Sequence, residues 1–160
     1  MNNTNISNKI TILNLADETK HIDEISVWLW EEWGKHSGST LEEVIYRTKH
    51  SMQRDKVPQV LIAKLNDELV GTVSIWNNDL TPRQDLTPWL AALYIKKDYR
   101  GMGIGTLLQE KCIETVKGLG YDKLYLITDH DNYYERTGWI FLESAPKSGD
   151  YIKIYEYEIN

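Results

Sequence analysis

The sequence has little cysteine and proline and no long apolar run. Its single cysteine, Cys112, allows no internal disulfide bond, so nothing in the chain calls for an oxidising compartment. Four prolines in 160 residues do not fit a low-complexity composition. The longest apolar run, Trp89 to Ile95, is far shorter than the roughly 20 residues that cross a bilayer. We therefore expect a cytoplasmic protein with no membrane partner.

The chain also lacks an excess of basic residues. Its formal net charge is −6, and its Lys and Arg residues form no stripe that could follow a phosphate backbone. A nucleic-acid partner is therefore not expected, whereas a cationic partner would be easier to accommodate. Residues 1–8 lack the charged and apolar regions of a secretory signal, and we expect them to be a frayed lead-in.

Hydrophobic periodicity predicts one α/β domain over residues 1–160. The predicted strands are 10–15, 59–65, 69–76, 89–95, 123–128, 139–142 and 151–158; the predicted helices are 18–33, 40–53 and 103–119, with a short helical turn at 131–136. The order β-α-α-β-β-β-α-β-α-β-β predicts a mixed sheet of six to seven strands, with about four helices packed on both faces.

A glycine-rich turn follows the strand that ends at Ile95. The segment from Tyr99 to Gly105 reads Tyr-Arg-Gly-Met-Gly-Ile-Gly and leads into a predicted helix. Helix N-termini present unpaired N–H donors, and glycines let the backbone approach an anion closely. Arg100 could add charge-assisted hydrogen bonds. The segment therefore predicts a phosphate site, the alternative being a tight turn without a ligand.

Two common phosphate motifs do not fit this segment. A Walker loop needs Lys and then Ser or Thr after its last glycine, but Gly105 is followed by Thr106 and Leu107. A dinucleotide fingerprint needs a glycine where Thr106 stands. A nucleotide-phosphate enzyme is therefore not favoured.

Arg100, Gly103 and Gly105 match the signature Arg/Gln-x-x-Gly-x-Gly/Ala, and the chain resembles the GNAT superfamily of N-acetyltransferases. Segments 85–95 and 124–139 resemble neighbouring blocks of bacterial members. The resemblance implies a GNAT-like fold, acetyl-coenzyme A (acetyl-CoA) as cosubstrate and no metal. It also implies acetyl transfer to a primary amine of a small molecule or peptide, by direct attack in a ternary complex. The alternative is a non-catalytic acyl-CoA sensor.

The resemblance also assigns the cofactor site. The pyrophosphate is expected on the amides of residues 100–106, and the pantetheine arm along the strand at residues 93–95. The residues assigned to the cofactor are Leu93, Tyr94, Ile95, Arg100, Gly101, Met102, Gly103, Ile104, Gly105, Thr106 and Asn132. Asn132 departs from the family pattern, because it stands only two residues before Tyr134 instead of several.

Tyr134 is assigned as the general acid, because it matches the family's tyrosine in Tyr-x-x-x-Gly-Phe/Trp. A role in packing alone is the alternative. An alkylamine with a pKa of about 10.4 must lose a proton before it attacks, so a base is expected. The candidate bases are Asp85, Asp129, His130 and Glu32, and the sequence does not choose among them.

The acceptor site is expected between the first two helices and the loop at residues 77–87. Ile22, Ile25, Leu29 and Trp33 recur at helical spacing, so Trp33 is predicted to pack in the core while Trp28 and Trp30 lie off this stripe. The predicted acceptor residues are Trp28, Trp30, Glu32, Asp79 and Trp89. The expected oligomeric state is a monomer or a homodimer.

Overall fold

A computed structural model describes residues 9–160 as one seven-stranded sheet with helices on both faces. The predicted lead-in at residues 1–8 lies outside the described residues. The strands are β1 (Ile10–Asn14), β2 (Gln59–Leu65), β3 (Glu68–Trp76), β4 (Trp89–Ile95), β5 (Lys123–Thr128), β6 (Ile140–Lys147) and β7 (Asp150–Glu158). The helices are α1 (Ile22–Glu32), α2 (Leu41–Lys49) and α3 (Ile104–Gly118). This architecture confirms the predicted mixed sheet.

The strand order is β1-β2-β3-β4-β5-β7-β6, and every neighbouring pair is antiparallel except β4 and β5. The chain turns from β2 into β3 through Asn66 and Asp67, both with positive φ, as a two-residue hairpin loop requires. The parallel pair β4–β5 is joined by α3, the crossover that a parallel connection needs. The only parallel contact of the described sheet therefore lies at its centre.

Helix α1 follows its apolar spacing, but its ends differ from the prediction. Ile22, Ile25 and Leu29 are buried, as the spacing predicts. Residues 19–21 form a separate 3-10 turn, so α1 begins at Ile22 and not at residue 18. The helix ends at Glu32, and Trp33 leaves it with a φ of −128°. The side chain of Trp33 is therefore 43% exposed, and its predicted place in the core is wrong.

Helix α2 begins where its cap residues predict and ends earlier than expected. The Thr40 hydroxyl accepts a hydrogen bond from the Glu43 amide, and the Glu43 carboxylate accepts one from the Thr40 amide, which completes a capping box. The helix ends at Lys49 instead of residue 53, because His50 closes it with its amide bonded to carbonyls of the last turn. The capping box fixes the start of α2, which lies beside α1 on the same face of the sheet.

The last hairpin is longer than its sequence predicts. β6 extends from Ile140 to Lys147, although Glu143, Ser144 and Pro146 interrupt the apolar pattern. β6 is the edge strand of the sheet, where a proline without an N–H donor is tolerated. The fourth predicted helical segment is a single 3-10 turn at Glu135–Thr137.

The two faces of the sheet have separate cores. Ile104, Leu108, Cys112 and Val116 of α3 pack against one face. Helices α1 and α2 cover the other face at β1–β3, and the loop between β3 and β4 covers it at β4, β5 and β7 through Leu80 and Leu86. Among the described residues, no helix is long and apolar enough to cross a membrane.

Candidate active site

The parallel strands β4 and β5 separate soon after they begin. In the described part of the chain, β4 and β5 are paired at one position, where Trp89 lies opposite Tyr125. On its other side β4 remains paired with β3 as far as Ile95, which lies opposite Gly71. One side of the backbone at residues 93–95 therefore faces a gap where β5 would lie, and the polar groups on that side have no partner strand.

A bulge in β4 lies at the start of this gap. Thr72 pairs with Tyr94 and Ser74 pairs with Ala91, so two residues of β4, Ala92 and Leu93, stand opposite one residue of β3. Ala92 has a φ of +51°, which is uncommon for a residue other than glycine. Bulges of this kind redirect the backbone next to active sites.

The gap continues into a cleft of about 530 Å³ that ends at the N-terminus of α3. The cleft is lined by Glu32, Leu93, Tyr94, Ile95, Tyr99, Arg100, Gly101, Gly103, Ile104, Gly105, Thr106, His130, Tyr133 and Tyr134. Most of the residues assigned to the cofactor thus come together with Tyr134. The exceptions are Met102, whose side chain packs against the core, and Asn132, an exposed residue outside the lining.

The glycine turn leads directly into the N-terminus of α3. Gly101 and Gly103 have φ values of +78° and +83°, and Gly103 caps α3 without contributing a side chain. The first N–H groups of α3 have no intrahelical acceptor and lie at the positive end of the helix dipole. Arg100 donates from Nε to the Ile95 carbonyl at 2.8 Å, and its guanidinium lies 5.5 Å from the Tyr94 ring centroid. These two contacts hold Arg100 beside the turn.

A second anchor fixes the turn to the rest of the fold. The Tyr99 hydroxyl donates to the Glu68 carboxylate, which also pairs with Lys96. Both hydrogen bonds lower the pKa of Glu68, that from Tyr99 most strongly. The hairpin between β2 and β3 is thereby tied to the start of the glycine turn.

Two adjacent tyrosines close the cleft on the side of the chain after β5. Tyr134 is half-buried and packs edge-on against Trp139, with ring centroids 6.1 Å apart. Burial, with a smaller contribution from Tyr133, raises the pKa of Tyr134 to about 12. Its hydroxyl is therefore protonated at neutral pH and can donate a hydrogen bond.

Tyr133 also lines the cleft, and a Cβ added to Gly105 would lie 3.8 Å from the Tyr133 hydroxyl. The sequence motif selects Tyr134 by its position four residues before Gly138, and it did not predict that Tyr133 would also line the cleft.

The candidate bases are not equivalent. His130 and Glu32 line the cleft, and the His130 ring centroid lies 6.2 Å from that of Tyr133. Asp129 is exposed and does not line the cleft. Asp85 is exposed and held by Arg83 through hydrogen bonds from Nε and Nη2, both 2.9 Å long, which lower its pKa. The structure thus does not bring Asp85 to the cleft, and the pairing makes it a weaker base.

The predicted acceptor tryptophans divide by burial. Trp28 is half-buried and contacts Tyr94, with ring centroids 5.3 Å apart. Trp30 donates from its indole N–H to the Ser39 carbonyl at 2.9 Å, which supports the connection between α1 and α2. Trp89 is completely buried and donates to the Leu86 carbonyl. The prediction that Trp89 lines the acceptor site is wrong, because its side chain has no surface left for a ligand.

Asp79 lies in the loop after β3, away from the cleft lining. Burial raises its pKa to about 7, and the positive charges of Lys147 and Arg47 oppose this rise. Arg47 comes from α2 and stacks on Trp76, with its guanidinium carbon 4.7 Å from the ring centroid. Asp79 therefore lies near charged groups from α2 and β6, on the face of the sheet covered by α1 and α2.

A mixed sheet that opens between two parallel strands, with a glycine-rich helix N-terminus at the mouth of the opening, defines a coenzyme A-dependent acetyltransferase fold. The chain belongs to the acetyltransferase (GNAT) family, whose model matches residues 22–139. This confirms the predicted family and the predicted class of reaction. Acetyl-CoA is the acetyl donor of that class, and the family match does not favour the alternative of a sensor.

Comparisons with individual proteins agree with the family assignment. The chain is 32% identical to N-alpha-acetyltransferase 30 of Schizosaccharomyces pombe over 104 residues, which are 62% of this chain and 63% of that protein. An aminoglycoside 6'-N-acetyltransferase complexed with coenzyme A has a similar fold, with a TM-score of 0.74, 17% identity and coverage of 94% and 97% of the two chains. A GNAT-family acetyltransferase from Streptococcus pneumoniae gives a TM-score of 0.68 at 21% identity, with coverage of 94% and 99%.

Proposed function

We propose that this protein transfers the acetyl group of acetyl-CoA to the α-amine of a peptide, by direct attack in a ternary complex. The observation that carries the proposal is the cleft, in which the gap beside β4, the glycine turn and Tyr134 line one continuous surface. In this proposal the pyrophosphate binds the amides of residues 101–106. The pantetheine arm pairs with the backbone groups of residues 93–95 that face the gap and are not bonded to β3 or to Arg100. The thioester lies near the bulge at Ala92.

The reaction forms a C–N bond and breaks a C–S bond. The neutral amine attacks the thioester carbonyl carbon, and the coenzyme A sulfur leaves as the carbonyl re-forms. Full proton transfer from Tyr134, with its pKa of about 12, to a thiolate with a pKa of about 8.5 is uphill by roughly 3.5 units. Tyr134 therefore acts by donating a hydrogen bond to the sulfur as negative charge develops, and the thiol takes its proton from the amine or from solvent.

The lining of the cleft favours an amine that is easily deprotonated. An α-amine has a pKa of about 7.7–8.0, against about 10.4 for a lysine side chain, so at pH 7 it needs roughly 1 unit of help instead of roughly 3. Glu32 and His130 contribute a carboxylate and an imidazole to the cleft lining, and either group could accept the proton of such an amine. The N-alpha-acetyltransferase relative supports the same class of acceptor.

We place the acceptor on the face of the sheet that α1 and α2 cover. Trp28 reaches Tyr94 there from α1, and Glu32 of the same helix lines the cleft, where it could attract an ammonium group. Asp79, in the loop after β3, lies on the same face of the sheet but outside the cleft lining. A cytoplasmic location and a state of monomer or homodimer stay predictions from the sequence.

The test is a matched set of acceptors with acetyl-CoA, followed by release of free thiol and by mass spectrometry of the acceptor. One peptide has a free N-terminus and no lysine; its partner has a blocked N-terminus and one lysine. Acetylation of the first and not the second supports the proposal. Acetylation of the second alone, or of aminoglycosides alone, overturns the α-amine assignment. Tight acetyl-CoA binding without transfer to any amine indicates the sensor.

A further inference from the structure

Gln109 is a polar residue in the middle of α3 that the cofactor site does not use. Its side chain is 2% exposed and lies among the apolar residues that pack α3 on the sheet. Its side-chain carbonyl accepts two hydrogen bonds, from the Trp139 indole N–H and from the Thr137 hydroxyl, each 3.2 Å long. Both donors belong to the chain segment that follows Tyr134.

The same two donor residues hold Tyr134. The Thr137 amide donates to the Tyr134 carbonyl at 3.1 Å, and the Trp139 amide donates to it at 3.3 Å. The Trp139 ring packs edge-on against the Tyr134 ring. Movement of Thr137 or Trp139 would therefore shift both the backbone and the ring of Tyr134.

We propose that Gln109 is a positioning residue for Tyr134, holding its turn against the helix whose N-terminus receives the coenzyme A pyrophosphate. An amide buried among apolar side chains carries a desolvation cost that an aliphatic residue would avoid. Two hydrogen bonds to one oxygen offset that cost and fix the orientation of the turn. Because Gly105 and Gln109 are one turn apart on α3, the phosphate site and the tyrosine share one rigid element. The inference rests on the hydrogen bond that Tyr134 donates to the coenzyme A sulfur in the proposed function.

The first experiment replaces the hydrogen-bond acceptor and keeps the shape. Gln109→Met is expected to lower kcat about tenfold or more, because a small displacement of a reacting group costs up to about a hundredfold in rate, and to leave the acetyl-CoA KM within about twofold. The matched control is Gln59→Met. Gln59 is also 2% exposed and hydrogen-bonded, but it lies in β2 and contacts Asn14 and two loop carbonyls. An equal loss of kcat in both variants overturns the proposal.

The second experiment separates positioning from general stability. In the Tyr134→Phe background the hydroxyl that Gln109 positions is already absent, so Gln109→Met is expected to lower kcat by less than about twofold further. A full tenfold loss in that background would show that Gln109 acts on something other than Tyr134, and would overturn the proposal.

A third readout does not depend on acetyl transfer. The ring resonances of Tyr134, assigned by their loss in Tyr134→Phe, are expected to shift in Gln109→Met and not in Gln59→Met. Thr137→Val is the substitute variant if Gln109→Met does not fold. It removes one of the two donors to the Gln109 carbonyl at an exposed position, and it should shift the same Tyr134 resonances. Unmoved resonances overturn the inference. Shifted resonances combined with an unchanged rate in Tyr134→Phe would overturn the hydrogen-bonding role of Tyr134 in the proposed function. The contact of Gln109 with the turn would then still stand.

Discussion

Trp89 of β4 lies opposite Tyr125 of β5, and beyond this pair the two parallel strands diverge. Trp89 is completely buried beneath the loop that carries Leu80 and Leu86, and its ring centroid lies 5.7 Å from that of Tyr125. These contacts fix the closed end of the gap, while the bulge at Ala92 turns the following residues away from β5. The gap between β4 and β5 is therefore a consequence of how β4 is held at its start.

Tyr134→Phe tests the proposed hydrogen bond from Tyr134 to the leaving sulfur. The substitution removes one hydroxyl from a half-buried ring, so we expect kcat to fall about tenfold or more while the acetyl-CoA KM changes by less than about twofold. Tyr133→Phe is the matched comparison, because its hydroxyl lies in the same cleft near Gly105. The measurement is steady-state kinetics of both variants with the best peptide acceptor. A loss of activity in Tyr133→Phe alone would show that the role belongs to Tyr133 and not to Tyr134.

The pKa of Tyr134 also predicts a pH dependence. Because burial raises that pKa to about 12, the hydroxyl keeps its proton well above neutrality. At saturating acceptor, kcat should therefore not decline between about pH 7 and about pH 10 through loss of this proton. A descending limb centred near pH 8 that disappears in Tyr134→Phe would contradict the proposed protonation state.

Gly103→Ala and Gly120→Ala separate phosphate binding from backbone strain. The two glycines flank α3, have φ values of +83° and +91°, and have no atom within 4 Å of an added Cβ. Alanine at positive φ costs roughly 1–2 kcal/mol, so both variants should lose similar stability in urea. Only Gly103 lies in the proposed phosphate turn. Calorimetry should show coenzyme A affinity reduced about tenfold in Gly103→Ala alone, and an equal reduction in both would remove the turn from the binding site.

Asp79→Asn tests the buried carboxyl of the loop after β3. Its pKa is raised from 3.8 to about 7 in the folded chain, so the folded state binds the proton more tightly than the unfolded state does. Asp79 therefore costs stability as pH rises from about 4 through about 7. Asp79→Asn should raise the free energy of unfolding by more than about 1 kcal/mol at pH 8 and change it little at pH 4. Asp55→Asn, at an exposed position, should change neither value.

Cys112 should not react in the folded protein. It is completely buried on α3, and burial raises the pKa of its thiol far above neutrality. A thiol reagent should therefore find no accessible thiol in the native chain and one after unfolding in guanidinium, since thiolate and access are both required. The same result allows coenzyme A release to be followed with that reagent. Reaction of the native chain within minutes would contradict the burial of Cys112.

Much of the fold follows from local sequence. Helix α3 and the strands β2, β4 and β5 lie within one residue of their predicted bounds, because each has a continuous apolar pattern between clear turn residues. The ends of α1 and the length of β6 did not follow. Trp33 continues the helical spacing but lies beyond the last helical turn, and Pro146 is acceptable only because β6 is an edge strand. Neither fact is encoded by local periodicity.

The sequence by itself determined the glycine turn, the helix behind it and Tyr134 four residues before Gly138, because each depends on near neighbours in the chain. Only the tertiary structure decided which side chains share the cleft. It brought Glu32, Tyr94 and Tyr133 to one surface, kept Asp85 away from that surface, and buried Trp89 against Tyr125. The reason is physical: contacts between residues tens of positions apart depend on sheet order, on the divergence of β4 from β5 and on loop packing, all of which arise when the whole core closes.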